Sequence, residues 1–361
     1  MFKVLTSLKT LTSFKVLTSF KILTSFKIWS LFKKCSLESK LGIFAMLMLA
    51  CPALHATTHA NTAVIFDEGN TQESLGAYLE YLEDSSGLLG FEAIRNLPSL
   101  NKKNHPTGQG WLAVAGDNIT GGFTKSVYWV RFTTKNITSR PIPWVLESAY
   151  SPMDWIELYK PQENGTYVKQ EAGDNLTFHE RDINYRNVTF YLSAQASTSQ
   201  TYYLRFQTDS SMSIQLHKWP HQTFAESVDF EKMILGIFFG VILITAFYNI
   251  VSGVFLKDIS YVWVALSLVG ASAYSFCLNG LSFQYLWPNS IWLQTVSIPF
   301  FMNLAFMFIA LYSRHFLDFL NTAPLMNKGL LLLAVISGTL MLASFVLPYS
   351  LIIKASTVFS L

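Results

Sequence analysis

Charge and cysteine are both scarce in this sequence. Only 14% of its 361 residues are charged, whereas soluble globular domains carry about 25%. Because 51% are hydrophobic, disorder over most of the chain and an ordinary cytosolic protein are both excluded. The three cysteines are Cys35, Cys51 and Cys277, and residues 57–232 contain none. That middle region therefore has neither a disulfide framework nor a cysteine zinc site.

Familiar catalytic motifs are also missing. The sequence has no His-Glu-X-X-His, no Gly-X-Ser-X-Gly and no phosphate-binding Gly-rich Lys motif. His217 and His221 are four residues apart, but Pro220 between them disfavours a shared helical metal face. We therefore predict no catalytic residues, no metal and no cofactor, and we do not expect an enzyme in this chain.

The net charge of +3 combines three unlike regions. Residues 1–40 carry +7, residues 41–232 carry −6, and residues 233–361 carry +2 on very few charged side chains. The sharp fall in charge density marks the last region as a membrane domain. Because the basic pI of 8.6 comes from the first region, we expect no nucleic-acid partner.

The amino-terminal region contains a repeat and then a secretion signal. Phe-Lys-Val/Ile-Leu-Thr-Ser recurs every six residues over 1–40, which is either a low-complexity extension or a basic arm on a membrane surface, and we favour the extension. Residues 41–56 give an apolar run, Leu41–Ala50, followed by small residues up to Ala56. This order predicts a signal peptide cleaved near Ala56.

Residues 57–232 have the pattern of a β-sandwich. Short runs alternate apolar and polar residues, as in Val127–Thr134 (VYWVRFTT), and Asn164-Gly165 is a strong hairpin signal. The regular spacing of such runs predicts a sandwich or jelly roll. Earlier, the segment Leu75–Leu89 has helix-like spacing and then a turn at Asp84-Ser85-Ser86-Gly87.

Residues 233–361 predict a bundle of transmembrane helices. Their expected spans are 233–255, 259–278, 292–312 and 329–347, with a partial fifth at 351–361. If the sandwich lies outside, Lys257, Arg314 and Lys328 face the cytoplasm, in agreement with the positive-inside rule. The spans hold no deep charge, which disfavours a transporter, and Asn249 and Asn303 are predicted to join helices by hydrogen bonds.

Two stretches of the sequence, one in the sandwich region and one in the helical region, resemble a known family. The first runs from Gly121-Gly122-Phe123 through Tyr128-Trp129-Val130-Arg131-Phe132 and continues to Gly173-Asp174 and Tyr203-Leu204-Arg205. The second contains Lys257-Asp258-Ile259-Ser260-Tyr261 and Leu278-Asn279-Gly280-Leu281-Ser282-Phe283. Together they resemble bacterial seven-transmembrane receptors with diverse intracellular signalling modules, the DISM family, with a periplasmic domain of the second extracellular type.

The resemblance implies a receptor in the bacterial inner membrane with a jelly-roll sensor domain in the periplasm. It implies an unknown periplasmic ligand, with carbohydrate as one class, and a cytoplasmic diguanylate cyclase or histidine kinase as output module. Such an output module is absent from this sequence, so a truncated remnant or a structural or adhesive membrane protein is the alternative. Our predicted ligand-binding residues are Trp129, Trp155, His179, Arg181 and Arg186, with the tryptophans as stacking faces for a sugar.

Overall fold

The computed structural model describes residues 63–69, 71–100 and 110–360. The repeat predicted over 1–40 and the signal segment predicted over 41–56 lie outside them. Strands dominate up to Pro220 and helices follow. The prediction of a β-sandwich followed by a helical bundle is therefore confirmed.

The strands are short and are numbered in chain order. They are β1 (Val64–Phe66), β2 (Glu73–Ser74), β3 (Glu80–Asp84), β4 (Ser99–Leu100), β5 (Trp111–Ala113), β6 (Ile119–Phe123), β7 (Val127–Asn136), β8 (Ile142–Ser148), β9 (Trp155–Pro161), β10 (Tyr167–Ala172), β11 (Val188–Ala194), β12 (Ser199–Gln207), β13 (Ser211–Ile214) and β14 (Leu216–Pro220).

A short helix lies within the strand region, and the remaining described helices follow the last strand. They are α1 (Phe91–Arg95), α2 (His221–Leu256), α3 (Ile259–Leu278), α4 (Leu281–Tyr285), α5 (Ile291–Phe316), α6 (Phe319–Thr322), α7 (Pro324–Ala343) and α8 (Tyr349–Ser360).

Two sheets enclose the main core. The larger has the order β10-β9-β12-β7-β3-β5-β4, with β1 parallel to β7, and the smaller has the order β11-β8-β14-β2. Alternation along β7 sends Val130 and Phe132 to the core and Trp129 to the other face of the large sheet. Phe132 and Trp144 then meet across the two sheets with ring centroids 6.4 Å apart. A second apolar cluster, including Trp129 and Trp111, lies on the outer face and packs with residues of α1 and its flanks.

The helix-like spacing that begins at Leu75 does not produce a helix, although the turn predicted at Asp84-Ser85-Ser86-Gly87 is present, with the Gly87 amide donating to the Asp84 carbonyl at 3.3 Å. This segment forms a 3-10 turn at Gly76–Tyr78 and then β3, which pairs with β5 and β7. Glu80 is buried and its Oε2 accepts from Arg131 Nε at 2.7 Å. Pairing with distant strands therefore overrides the local spacing. The hairpin predicted at Asn164-Gly165 is confirmed, because β9 and β10 pair with Pro161 opposite Tyr167.

Within residues 63–69, 71–100 and 110–360, four helices are long and apolar enough to cross a membrane: α2, α3, α5 and α7. Helix α2 starts at His221, before the span expected from Met233, and its first turns dock on the sandwich through Phe224 and Val228. Helix α7 starts at Pro324, where the fixed φ of proline suits the first helical turn. Helix α5 packs against α3, α7 and α8, whereas α2 packs mainly against α3.

The two asparagines within the spans, Asn249 and Asn303, make different hydrogen bonds. Asn303 of α5 is 1% exposed, and its Nδ2 donates to Ser356 Oγ of α8 at 2.7 Å. Asn249 Nδ2 instead donates to the carbonyl of Thr245 in its own helix. Only Asn303 therefore makes the expected bond between helices in the part of the chain that the structure describes.

Candidate functional site at the joint between sandwich and helices

The sandwich continues directly into the first long helix. Strand β14 ends at Pro220, whose extended backbone (φ −62°, ψ 138°) immediately precedes α2. Phe224 and Val228 on the first turns of α2 are buried against Val145 and Tyr185 of the sandwich. No linker therefore separates β14 from α2.

Farther along α2, an ion pair also holds this helix to the sandwich. Arg186 Nη2, in the loop before β11, pairs with Glu231 Oε1 of α2. Tyr185 donates its hydroxyl to the other oxygen of Glu231 at 2.5 Å, and Arg186 Nη1 donates to the carbonyl of Asn279 at the end of α3 at 3.3 Å. The Arg186 and Glu231 side chains are 15% and 19% exposed, so this pair is better shielded than a surface salt bridge. One arginine thus connects the sandwich to both α2 and α3.

The turn between α3 and α4 lies against the same loop. Gly280 has φ +72°, and a Cβ there would stand 2.7 Å from the Arg186 carbonyl oxygen and 2.9 Å from Ser151 Oγ. A side chain is thus excluded by both conformation and space. Gln284 Nε2 of α4 donates to Asn184 Oδ1 at 3.0 Å. The sandwich and this turn are therefore in close backbone contact.

Arg181 occupies the centre of this loop. Its guanidinium lies 4.6 Å from the Phe178 ring centroid and 5.6 Å from that of Phe283 in α4. Its Nη1 donates to the carbonyls of Tyr185 and Arg186 at 3.2 and 2.8 Å. Burial lowers the pKa of Arg181 to about 10, although nearby Asp174 favours its charge. Arg181 therefore joins the loop to α4 by cation–π contacts as well as by hydrogen bonds.

Backbone hydrogen bonding also crosses the joint. The Phe178 amide donates to the carbonyl of Pro288, in the segment between α4 and α5, at 3.0 Å. The Phe178 and Phe283 rings meet edge to face, with centroids 5.7 Å apart. Beyond them, the Tyr349 hydroxyl at the start of α8 donates to Ser210 Oγ of the sandwich at 3.3 Å.

Two aspartates lie side by side in the sandwich. Asp174 is 8% exposed, and its amide donates to the Met153 carbonyl at 3.0 Å, which places it next to Asp154. Asp154 accepts from the Asp209 amide at 2.6 Å. Gly173 makes this approach possible: it has φ +145°, and a Cβ there would stand 2.1 Å from the Asp154 carbonyl oxygen.

The environment of the two carboxyls favours their protonated forms. Burial, the Asp154 charge and the bond to Asp154 raise the pKa of Asp174 to about 8, while Arg181 and Gln294 act in the opposite direction. Burial also raises the pKa of Asp154, against the hydrogen bonds that it accepts.

The five predicted ligand residues fall into separate places. Arg181 and Arg186 lie together in the joint, and His179 is exposed in a 3-10 turn beside them. Trp129 is 1% exposed, so it presents no face to solvent, whereas Trp155 is half-buried. The register places both tryptophans on the outer face of the large sheet, opposite Arg205 and Gln207 of β12 respectively.

Sequence reasoning missed the acids beside these arginines, Glu231 and Asp174, and two further polar residues. Asp154, Asp174, Glu231 and Gln294 carry no local pattern that distinguishes them from other polar residues at element ends. The Gly173-Asp174 pair within the family-like stretch was the nearest signal. Among residues 63–69, 71–100 and 110–360, no group of three or more His, Cys, Asp or Glu residues could hold a metal ion.

Two family profiles match the chain in succession. The profile described as 7TMR-DISM extracellular 2 matches residues 76–220, and the one described as 7TM diverse intracellular signalling matches residues 231–361. No curated protein matches the chain. The boundary between the two profiles falls in the first turns of α2, where the structure joins the sandwich to the helices. The chain therefore belongs to the seven-transmembrane receptors with diverse intracellular signalling modules, as a membrane protein with an extracellular domain.

Proposed function

We propose that the protein is a bacterial inner-membrane receptor whose sandwich binds a ligand in the periplasm and whose helices relay this binding to a cytoplasmic output module. The observation that carries the proposal is the joint itself. Strand β14 enters α2 without a linker, and the Arg186–Glu231 pair holds the same helix to the sandwich. A ligand that prefers one arrangement of the sandwich would thereby shift the arrangement of α2.

The positions of basic residues support this orientation. The contacts with the sandwich involve the start of α2, the end of α3 and the segment that leads into α5. The opposite ends of these helices carry Lys257 and Arg314. Basic residues favour the cytoplasmic side of a membrane, so the sandwich is assigned to the outer side.

The outer face of the large sheet supports a carbohydrate as ligand. Trp155, Glu157 and Tyr159 alternate with core residues along β9 and therefore share this face. Arg205 Nη1 of β12 lies 3.5 Å from Glu157 Oε1. A partly exposed indole beside paired charged groups offers stacking and hydrogen bonds, the two interactions that a sugar ring uses.

The carbohydrate proposal is tested with the purified full chain in lipid nanodiscs. Maltohexaose, cellohexaose and a muropeptide are titrated by calorimetry. We expect one of them to bind, and Trp155→Ala to weaken its binding at least about tenfold, which corresponds to about 1.4 kcal/mol. Tyr191→Ala, at an aromatic residue 48% exposed on the other sheet, is the matched control and should leave binding unchanged. Binding that Trp155→Ala does not affect contradicts this ligand face.

The relay from the sandwich to the helices is tested with the same full chain in lipid nanodiscs. A fluorophore on Lys257→Cys, in a background in which Cys35, Cys51 and Cys277 are replaced by serine, reports the far end of α2. Saturating sugar should change its emission, and Glu231→Ala should abolish this change while sugar binding remains. An unchanged emission despite binding contradicts a relay through α2. The downstream enzyme, a diguanylate cyclase or a histidine kinase, is proposed from the family resemblance alone.

A further inference from the structure

Glu147 is a buried acid of the sandwich that neither the ligand face nor the Arg186–Glu231 pair explains. It lies in β8 and is 4% exposed. Alternation along β8 sends Leu146 to the core between the sheets, so Glu147 lies on the opposite face of the small sheet. The first turns of α2 pack on that same face through Phe224 and Val145. Glu147 is therefore buried on the side of the small sheet that meets the helices.

Two neutral donors satisfy the two oxygens of this carboxylate. Trp219 Nε1 donates to Glu147 Oε2 at 2.6 Å, and Asn187 Nδ2 donates to Glu147 Oε1 at 2.6 Å. Trp219 is in β14, two residues before α2, and its ring centroid lies 5.8 Å from that of Phe224 in α2. Asn187 is 1% exposed and immediately precedes β11. Glu147 thus connects two segments that approach the helices separately.

The bond to Glu147 fixes the direction in which the Asn187 amide points. An ionised carboxylate only accepts hydrogen bonds, so the amide nitrogen must face it. The amide oxygen then faces the other way, where Ser151 Oγ donates to it at 2.6 Å and Arg186 Nη1 donates to it at 3.2 Å. The reverse orientation would direct amide hydrogens at a guanidinium and the amide oxygen at a carboxylate, and both contacts would be repulsive.

The two donors to the Asn187 oxygen both contact the helices. Arg186 Nη2 pairs with Glu231 of α2, and Arg186 Nη1 donates to the carbonyl of Asn279 at the end of α3 at 3.3 Å. The other donor borders the turn between α3 and α4, because a Cβ at Gly280 would stand 2.9 Å from the serine Oγ. A single amide oxygen therefore orients two side chains at the joint.

We propose that Glu147 is the positioning residue of the joint: its carboxylate sets the orientation of Trp219 and Asn187, and through Asn187 it holds Arg186 in the geometry that pairs with α2 and α3. One buried acid thereby acts on both attachments of α2, the direct continuation of β14 and the ion pair with Glu231. This inference deepens the proposed relay and rests on that function for its biological consequence.

Single substitutions should disturb this arrangement without changing the size of the side chains. Glu147→Gln supplies one oxygen, which can accept from Trp219 or from Asn187 but not from both. Either a buried donor loses its acceptor, or the Asn187 amide turns and presents its hydrogens to Arg186. Asn187→Asp alone places a second carboxylate against Glu147 in a buried site. Each of these changes should loosen the joint.

The Phe178 amide reports the contact between sandwich and helices, because its acceptor Pro288 lies between α4 and α5. Hydrogen exchange of this amide is measured on the full chain in nanodiscs at one pH. We expect Glu147→Gln to lower its protection at least about tenfold. Glu80→Gln is the matched control, since Glu80 is another buried glutamate of the sandwich that accepts from Arg131 in the large sheet. It should keep the protection within about twofold of wild type.

A swapped variant tests the orientation itself. In Glu147→Gln/Asn187→Asp the amide and the carboxylate exchange places. The new amide nitrogen can donate to the new carboxylate, and the new amide oxygen can accept from Trp219. The new carboxylate still presents an oxygen to Arg186. We therefore expect the protection of the Phe178 amide to return to within about threefold of wild type.

A further comparison tests whether Glu147 acts through Arg186. Arg186→Ala should lower the protection of the Phe178 amide strongly in the wild-type, Glu80→Gln and swapped backgrounds. In the Glu147→Gln background it should lower the protection by less than about fivefold, because the arginine has already lost its positioning. If Glu147 only stabilised the sandwich, the two effects would multiply, since independent contributions to a free energy add.

Three results overturn the proposal: wild-type protection in Glu147→Gln, no recovery in the swapped variant, or an undiminished effect of Arg186→Ala in Glu147→Gln. If Glu147→Gln does not fold, the swapped variant decides: folding with recovered protection that Arg186→Ala then removes supports the proposal, and any other result overturns it. Because these measurements use neither sugar nor output enzyme, their failure is distinct from failure of the receptor function.

Discussion

Removing either partner of the Arg186–Glu231 pair should loosen the sandwich from the helices. Arg186→Ala leaves Glu231 with only the Tyr185 hydroxyl among its described contacts, and it removes the bond to the Asn279 carbonyl. Glu231→Ala leaves the Arg186 guanidinium partly buried without its carboxylate. Both changes act on the joint, whereas the cores of the sandwich and of the bundle remain intact.

The expected magnitude follows from the burial of the pair. Exposed pairs contribute about 0–1 kcal/mol, and breaking a fully buried pair costs about 3–5 kcal/mol. The side chains of this pair are 15% and 19% exposed, so we expect each single substitution to cost about 2–3 kcal/mol of docking free energy. Since about 1.4 kcal/mol is a factor of ten, protection of the Phe178 amide should fall by about 30- to 150-fold.

The assay is a double-mutant cycle with hydrogen exchange of Phe178 as readout, on the full chain at one pH. The coupling energy between Arg186 and Glu231 should be about 2 kcal/mol. The control is the Lys232–Asp229 pair on the same helix, at 3.2 Å with side chains 46% and 76% exposed, which should give about 0.5 kcal/mol or less. A coupling energy for Arg186–Glu231 no larger than that of the control would refute a structural role for this pair in the joint.

Three further predictions concern single positions. Gly173→Ala should lower the unfolding free energy of the sandwich by about 2 kcal/mol or more, measured by thermal unfolding, because its Cβ would strike the Asp154 carbonyl; a stability equal to wild type contradicts the close approach. Asn303→Leu should weaken the attachment of α8 by about 0.6 kcal/mol through loss of the bond to Ser356, seen as faster exchange in α8, with Asn249→Leu as a control without such a bond. A cysteine at Lys257 should react with an impermeant maleimide only from the cytoplasmic side of sealed vesicles; labelling from outside contradicts the assigned orientation.

The order of a sandwich followed by a helical bundle was predictable, because it depends on the local sequence pattern. Alternation in Val127–Thr134 has the period of a strand, and β7 (Val127–Asn136) indeed sends alternate residues to opposite faces. The predicted span 259–278 coincides with α3, where Asp258 accepts from the Ser260 amide at 2.9 Å and caps the helix. In both cases the deciding residues are neighbours in sequence.

The predictions that were wrong concern residues whose placement depends on contacts with distant parts of the chain. The segment around β3 has helix-like spacing, but Glu80 pairs with Arg131, 51 residues away. Trp129 was expected to offer a stacking face, and its place under the second apolar cluster depends on residues from β5, β12 and α1. No local pattern contains those contacts.

The sequence alone determined that a sandwich precedes a set of apolar helices, since strand period and span length are properties of short segments. It also identified Arg181 and Arg186 as notable polar residues, without their partners. Tertiary structure decided that these arginines meet Phe283 and Glu231 of the helices, and that Asp174 is buried beside Asp154. The physical reason is that such pairings arise only when residues distant in the chain are buried together, where each polar group must find a partner.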